Sequence, residues 1–439
     1  MLRYYFMLGV RSLRRNPALT ALMVITLAVG VAASISTLTI LHVMSGDPIP
    51  GKSAKLLVPL LDGGPLKSYI PGKKSPWFNQ SSYRDSMNYL QSGQGVRRTV
   101  LYDVGGSVEP RKPGEPLINV QGMATTADFF PMFGIPFLHG GAWGADDDKR
   151  ASRVAVLPRK MSEKIFGTAD SVGRRMRIWN TEFTVTGVLD EWHPLPRYYH
   201  LLNASGGDFA GEEEIIIPFS TAIALELPSN GSTSCSHETK PGWQGFLDSE
   251  CIWINPWFEL ASASDRPQLQ AWLDAYAKEQ QRLGRLERHA PNRLFDVMEW
   301  IDYIEVVGND NKASVWLSSG FLLLCIVNTM GLLLAKFAGR AAEVGVRRAL
   351  GASRAAVFQQ FLLEAGVVGV VGGLLGLAMS AASLWVIRLQ SRELSVVAYM
   401  DWAMLASTFA IAVAASIVAG LLPTWRAAQV TPALQLKSQ

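Results

Sequence analysis

Gly46-Asp-Pro-Ile-Pro-Gly51-Lys52-Ser53 fits G-x-x-x-x-G-K-[ST] letter for letter, the spacing of a loop whose backbone N–H groups cradle nucleotide phosphates. Such a loop must follow a strand and open a helix whose first amides hold the anion. Here it follows a long apolar run, contains two prolines, and leads into Lys55-Leu-Leu-Val-Pro59, which reads as strand. The match is read as a coincidence in a linker. A second grouping is Cys235 and Cys251, close in sequence amid Gly, Ser and Asn. In an oxidising compartment they pair as a disulfide closing a loop; the alternative is two free thiols. The third cysteine, Cys325, lies in an apolar run and reads as a small packing residue.

The third grouping is Arg340-Ala-Ala-Glu343-Val-Gly-Val-Arg347-Arg348-Ala-Leu350-Gly351-Ala-Ser353-Arg354. Glu343 stands three residues after Arg340 and four before Arg347, so the three share one helical face and pair there. Gly351 suits the C′ position that stops a helix, and Ser353 suits the N-cap that starts another. The stretch reads as a short basic helix, a break, and a second helix that continues into apolar sequence. Between two membrane spans, that arrangement suits docking of a partner; a solvated loop that only fixes topology is the plainer reading.

No H-E-x-x-H, G-x-S-x-G or G-x-G-x-x-G occurs in a suitable context, and no Cys/His cluster has metal-ligand spacing. His193, His200 and His237 are expected on loops. The chain is therefore read as having no catalytic, cofactor-binding or metal site of its own.

The elements that position these residues are largely apolar. Composition is 49% hydrophobic and only 18% charged, unusual for a soluble protein. Four runs contain no charge: Pro17–Leu41, Ala313–Ala335, Ala365–Ile387 and Trp402–Trp425. Each exceeds the roughly 20 residues that cross a hydrocarbon core, so spans are expected over residues 17–43, 313–338, 353–388 and 402–425. The first run is too long for the apolar part of a cleaved signal, which is about 7–15 residues. Arg3, Arg11, Arg14 and Arg15 precede it, and Lys336, Arg340, Arg347, Arg348 and Arg354 lie between the second and third spans. That bias places both termini and the basic stretch on the cytoplasmic side. The expected order is an amphipathic helix at the inner surface (1–16), the first span, an outer domain (44–312), the second span, a basic segment (339–352), the third span, a short outer loop (389–401), the fourth span and a tail (426–439).

The outer domain reads as mixed α and β. Val154-Ala-Val-Leu157, Phe183-Thr-Val-Thr-Gly-Val188 and Ile215-Ile-Ile217 have the β-branched content of strands. Ser162–Phe166 reads as a brief helix. Leu269, Trp272, Leu273 and Tyr276 recur at helical spacing, and the charges of Lys278–Arg288 are expected to extend that helix. Val297–Val307 reads as a closing strand or helix. Residues 194–255, rich in Gly, Ser, Pro and aromatics, read as an inserted subdomain. Gly369, Gly372, Gly373 and Gly376 in the third span stand at small-xxx-small spacing, so close packing of that helix is expected, within or between subunits.

Taken together, Glu343-Val-Gly-Val-Arg347-Arg348-Ala-Leu350-Gly351-Ala-Ser353, Gln360-Phe-Leu-Leu-Glu364, Pro423-Thr-Trp-Arg426 through Pro432-Ala-Leu434, and Arg11–Pro17 resemble the MacB/FtsX-type permeases of ABC transporters, the mechanotransmission class. In the outer domain Asp128-Phe129-Phe130, Arg153–Leu157, Ile165-Phe166-Gly167 and Phe183–Val188 resemble the MacB-type periplasmic core. The resemblance implies a multi-pass inner-membrane permease with four transmembrane helices and a large α/β periplasmic domain, working as a homo- or heterodimer. It implies coupling through Arg340, Glu343, Arg347, Arg348, Leu350, Gly351 and Arg354 to an ABC ATPase dimer, which binds the ATP and Mg. Because the chain begins almost at its first span, that ATPase is expected on a separate polypeptide. A periplasmic adaptor and an outer-membrane channel are further implied partners; nucleic acid is not. The implied function is export of a peptide, antibiotic or toxin from the outer side. Lipoprotein extraction of the Lol type and FtsX-like control of a cell-wall hydrolase are the alternatives.

Overall fold

The computed structural model describes residues 16–110, 114, 116–202, 213–288, 292–390 and 402–429. The expected amphipathic helix (residues 1–15), the loop 391–401 and the tail from 430 lie outside the described residues. The chain divides into two compact units, Gly46–Val306 and the remainder.

The first unit is built on one mixed sheet. Among the described residues it has eleven strands: β1 (Leu56–Leu60), β2 (Ser81–Ser82), β3 (Arg97–Val108), β4 (Ile118–Thr125), β5 (Phe137–Gly140), β6 (Val154–Pro158), β7 (Arg175–Ile178), β8 (Thr181–Leu189), β9 (Ile215–Pro218), β10 (Ile252–Glu259) and β11 (Arg293–Asp296). The main order is β11-β1-β10-β3-β4-β9-β6-β8-β5, with β2 beside β10 and β7 bridging β3 and β8. Pairs β4–β9 and β6–β8 are parallel. The long β3–β4 ladder, from Leu101↔Thr125 to Val108↔Ile118, is its spine. β8 shows why these residues choose strand: Phe183 and Val185 are buried while Glu182, Thr184 and Thr186 between them are not, the period-two pattern of a half-buried strand.

Two sequence expectations need correction. Residues 194–255 are not a separate insertion. β9 lies inside that range and sits in the middle of the main sheet, between β4 and β6, with Ile215, Ile216 and Ile217 in its core. The helix over Arg266–Arg282 stops before the charges run out, because Gly284 takes a left-handed turn (φ 73°) that ends it. Of the two readings of Val297–Val307, strand or helix, the structure has the helix, over Val297–Ile304. Asp296 caps it by accepting from Glu299 N, and Glu299 reaches back to Asp296 N, a reciprocal capping box. The expected brief helix is present over Arg159–Phe166.

The phosphate-loop lookalike is also explained. After Gly51 the chain makes a single 3-10 turn, Ser53–Lys55, and enters β1. Lys52 Nζ donates to the carbonyls of Pro131 and Met132 and lies 3.4 Å from Glu259, so it ties the linker to the sheet. No helix N-terminus is there to receive an anion.

The second unit is a bundle of long helices, α1 (Pro17–Ser45), α2 (Asn309–Ala338), α3 (Ala341–Ala349), α4 (Arg354–Gln390) and α5 (Trp402–Ala428). Four of them, all but α3, are long and apolar enough to cross a membrane. The glycine stripe of α4 splits between two neighbours. A Cβ on Gly369 or Gly373 would stand 2.5 Å from Ser416 Cβ or 2.9 Å from Ala412 Cβ on α5. One on Gly372 or Gly376 would stand 3.1 Å from Leu27 Cδ2 or 3.1 Å from the Ala28 carbonyl on α1. The stripe therefore packs α4 inside the protomer. Gly369→Ala is expected to lower the thermal midpoint of the detergent-solubilised chain, since overpacking of this kind costs about 1–3 kcal/mol. Gly366→Ala, whose Cβ meets open space, should leave it unchanged or raise it slightly through helix propensity. Equal effects would contradict the packing.

Candidate functional site

The basic stretch folds as a helix between two breaks. α2 runs to Ala338, Gly339 and Arg340 turn the chain, and α3 follows over Ala341–Ala349. Gly351 then adopts φ 100°, a conformation that strongly favours glycine. Its N–H donates to the Arg348 carbonyl at 3.1 Å, and Ala352 N donates to that of Arg347 at 3.1 Å. Ser353 Oγ accepts from Ala356 N at 3.1 Å and so caps α4.

Around that frame lies a chain of charges. Arg340 Nε is 3.3 Å from Glu343 Oε2, and Arg347 Nη2 is 2.7 Å from Glu343 Oε1. Beyond these pairs on the short helix, Arg340 Nη1 reaches Glu364 Oε2 of α4 at 2.9 Å. The other oxygen of Glu364 meets Lys336 Nζ of α2 at 2.7 Å. Arg347 Nη1 donates to Gln360 Oε1 on α4 at 2.9 Å. Burial works against the charge on Arg340, but its hydrogen bond to Glu343 and the charges of Glu364 and Glu343 outweigh it, so its pKa is raised. Glu364 is 1% exposed and Lys336 4%.

Apolar contacts reinforce the clamp. Phe337 and Phe361 have ring centroids 4.3 Å apart, and the Arg340 guanidinium lies 5.5 Å from the Phe361 centroid. Val344, the inward residue of α3, joins Phe337, Val357, Phe361 and Ala427 in one core. The outward side is different. Val346 and Leu350 are 57% and 83% exposed, and Arg354 is exposed beside them. Arg348 is half-buried. The arrangement is thus a short helix held to α2 and α4 by buried charges, presenting an apolar and basic tip.

Lys336, Gln360 and Glu364 belong to this site as firmly as the residues between the breaks. In the sequence Lys336 counted only towards the basic side of the membrane and Gln360 and Glu364 only towards the family resemblance; neither signal joined them to Arg340 and Arg347.

Residues 20–276 match the family model of the MacB-like periplasmic core domain, and residues 316–432 match that of the FtsX-like permease C-terminal region. The chain is a MacB/FtsX-type ABC transporter permease. Among curated relatives, this permease is 27% identical over 316 residues to the pyoverdine export ATP-binding/permease protein PvdT of Pseudomonas aeruginosa, covering 71% of the chain and 41% of the relative. It is 25% identical over 444 residues to the macrolide export ATP-binding/permease protein MacB of Rhodopirellula baltica, covering 97% and 60%. It therefore spans roughly four to six tenths of the relatives' length. The crystallised periplasmic region of MacB from Actinobacillus actinomycetemcomitans aligns with 58% of this permease and 95% of its own length, at 13% identity and a TM-score of 0.36. The four apolar helices and the family make it an inner-membrane protein with a large mixed α/β domain.

The remaining candidate residues lie in the α/β domain. Cys235 and Cys251 form a disulfide across 16 residues. His237 is a surface residue, 3.0 Å from Ser236 Oγ. His200 departs from the loop expectation. It ends a 3-10 turn, Tyr198–His200, and is buried, with Nε2 3.3 Å from Asp103 Oδ1 and Nδ1 3.3 Å from Glu213 Oε1. Arg197 and Tyr199 complete the cluster on Glu213, at 3.0 and 2.6 Å. Among the described residues no group of three or more His, Cys, Asp or Glu is placed to hold a metal ion.

Proposed function

We propose that this permease is the membrane subunit of a mechanotransmission exporter whose α3 docks on a separate cytoplasmic ABC ATPase. The observation that carries the reading is the clamp: a short helix with an exposed apolar and basic tip, tied through Glu343, Arg340, Glu364 and Lys336 to the ends of two membrane helices. A push on Leu350 and its neighbours moves α2 and α4 with it, because interfaces this densely packed shift as units. In this reading Arg347, Arg348 and Arg354 face the ATPase, Gly351 sets the break, and ATP and Mg bind to the partner. The relatives' names refer to ATP-binding/permease proteins and to export of pyoverdine and macrolides. The substrate proposed here is of that broad kind, a peptide, antibiotic or toxin-like molecule taken from the periplasmic side. Two permease chains would form the working unit, with a periplasmic adaptor and outer-membrane channel as further partners.

Arg347→Glu with Arg348→Glu is expected to abolish stimulation of the partner's ATPase in proteoliposomes while the chain still inserts and purifies. Undiminished stimulation would remove α3 from the coupling path.

A further inference from the structure

After β1 the chain makes a loop, residues 63–78, that contains three lysines and no acid. Its root is gripped by the buried guanidinium of Arg288. Arg288 donates to the Pro65 carbonyl at 3.0 Å, to Ser68 Oγ at 2.7 Å and to Ser75 Oγ at 2.8 Å. It also lies 5.5 and 5.4 Å from the Tyr69 and Trp77 ring centroids, and Asp62 at 2.8 Å balances its charge. The tip is a tight turn, Ile70-Pro71-Gly72-Lys73. Pro at the second place and Gly72, φ 78°, at the third suit a type II turn, and Lys73 N donates to the Ile70 carbonyl at 3.1 Å. A loop fixed in this way still leaves Leu66, Tyr69 and Ile70 54%, 41% and 56% exposed. Lys67 and Lys73 are exposed beside them.

The loop is tied to the point where the chain leaves this domain. Lys74 donates to the Tyr303 carbonyl, lies 4.7 Å from the Tyr303 ring centroid and 3.7 Å from Glu305. Phe78 meets the rings of Phe295 and Tyr303 edge-on, each at 6.0 Å. Glu305 precedes the start of α2 at Asn309, and Lys312 on its first turn borders the uncharged run. Extended chain from 305 to 309 and helix from 309 to 312 together reach at most about 20 Å, so the base of the loop stays close to the end of the span. We infer that Leu66, Tyr69 and Ile70 enter the lipid headgroup layer on this domain's side of the membrane, where Lys67 and Lys73 favour anionic phospholipid. Tyr and aliphatic side chains suit that layer, and basic residues there are attracted to anionic headgroups. An acidic protein surface would match the lysines, but the covalent tie to the span favours lipid. The inference does not depend on the export reading.

The test uses the full-length chain, in a Cys325→Ala background, reconstituted into vesicles of phosphatidylcholine and phosphatidylglycerol. A fluorophore is attached at Ile70→Cys or, as the control, at Leu117→Cys. Leu117 is exposed at the end of the β3–β4 ladder away from the chain's entry at β1. Quenching by a lipid spin-labelled at its headgroup should be at least about threefold stronger at 70 than at 117. Lys67→Glu with Lys73→Glu, or vesicles of phosphatidylcholine alone, should each remove at least about half of that quenching, whereas Lys67→Arg with Lys73→Arg should keep it. Equal quenching at the two positions would overturn the inference. Quenching at 70 that ignores both the charge reversal and the lipid charge would overturn the anionic partner. Absence of quenching in vesicles, together with cross-linking of position 70 to another protein in native membranes, would replace lipid by a protein.

Discussion

Glu364→Ala should be the most damaging single change in the membrane unit. Glu364 is the buried acid on which Lys336 and Arg340 converge, at 2.7 and 2.9 Å. Removing it leaves Lys336 buried without the carboxylate it meets and takes from Arg340 its ion pair to α4. Breaking a buried pair in this way costs roughly 3–5 kcal/mol. The purified variant should therefore unfold at a markedly lower temperature, and what survives should no longer raise the partner's ATPase rate. Lys336→Met combined with Glu364→Leu separates the two effects. Replacing both charges by apolar groups of similar size should recover much of the stability but not the coupling, because the ion pair of Arg340 to α4 is then lost. A double variant as unstable as the single one, or one that couples normally, would contradict the role assigned to the clamp.

A second large effect is expected in the α/β domain, and it depends on pH. Burial pushes the Glu213 carboxyl up, but Arg197, His200 and Tyr199 outweigh it and hold it at about 2, below its ordinary 4.5. A carboxylate held low in the folded state contributes stability that is complete above its unfolded value and is lost as pH falls towards the folded one. The shift from 4.5 to about 2 corresponds to about 3 kcal/mol. The thermal midpoint of the domain within the full chain should be level from pH 7 to 5 on account of this group and fall below about 4.5. Glu213→Gln should unfold earlier at pH 7, since the buried Arg197–Glu213 ion pair at 3.0 Å is lost, and should show a shallower decline below pH 4.5. Parallel curves for the two proteins would show that Glu213 does not carry the acid sensitivity.

What the sequence disclosed follows from distance along the chain. Arg340, Glu343 and Arg347 lie within two helical turns, so their pairing could be read from spacing, as could the break at Gly351 and the cap at Ser353. Glu364 and Lys336 are 28 residues apart on different helices, and nothing local links them. The glycine stripe announced a close contact, but only the bundle shows that Gly369 and Gly373 face α5 while Gly372 and Gly376 face α1. Composition misled over residues 194–255. Abundant Gly, Ser and Pro suggested an insertion, whereas three isoleucines within it, Ile215–Ile217, form a strand between β4 and β6. His200 was obscured for a related reason. Its partners Asp103 and Glu213 come from β3 and from the segment just before β9, elements that meet only through sheet pairing.

The most direct measurement is to purify the tagged chain from its native membrane in mild detergent and identify what accompanies it. The account predicts an ABC ATPase in equal amount, retained by wild type and lost from the Arg347→Glu, Arg348→Glu variant. Recovery of the wild-type chain without any ATPase would contradict it.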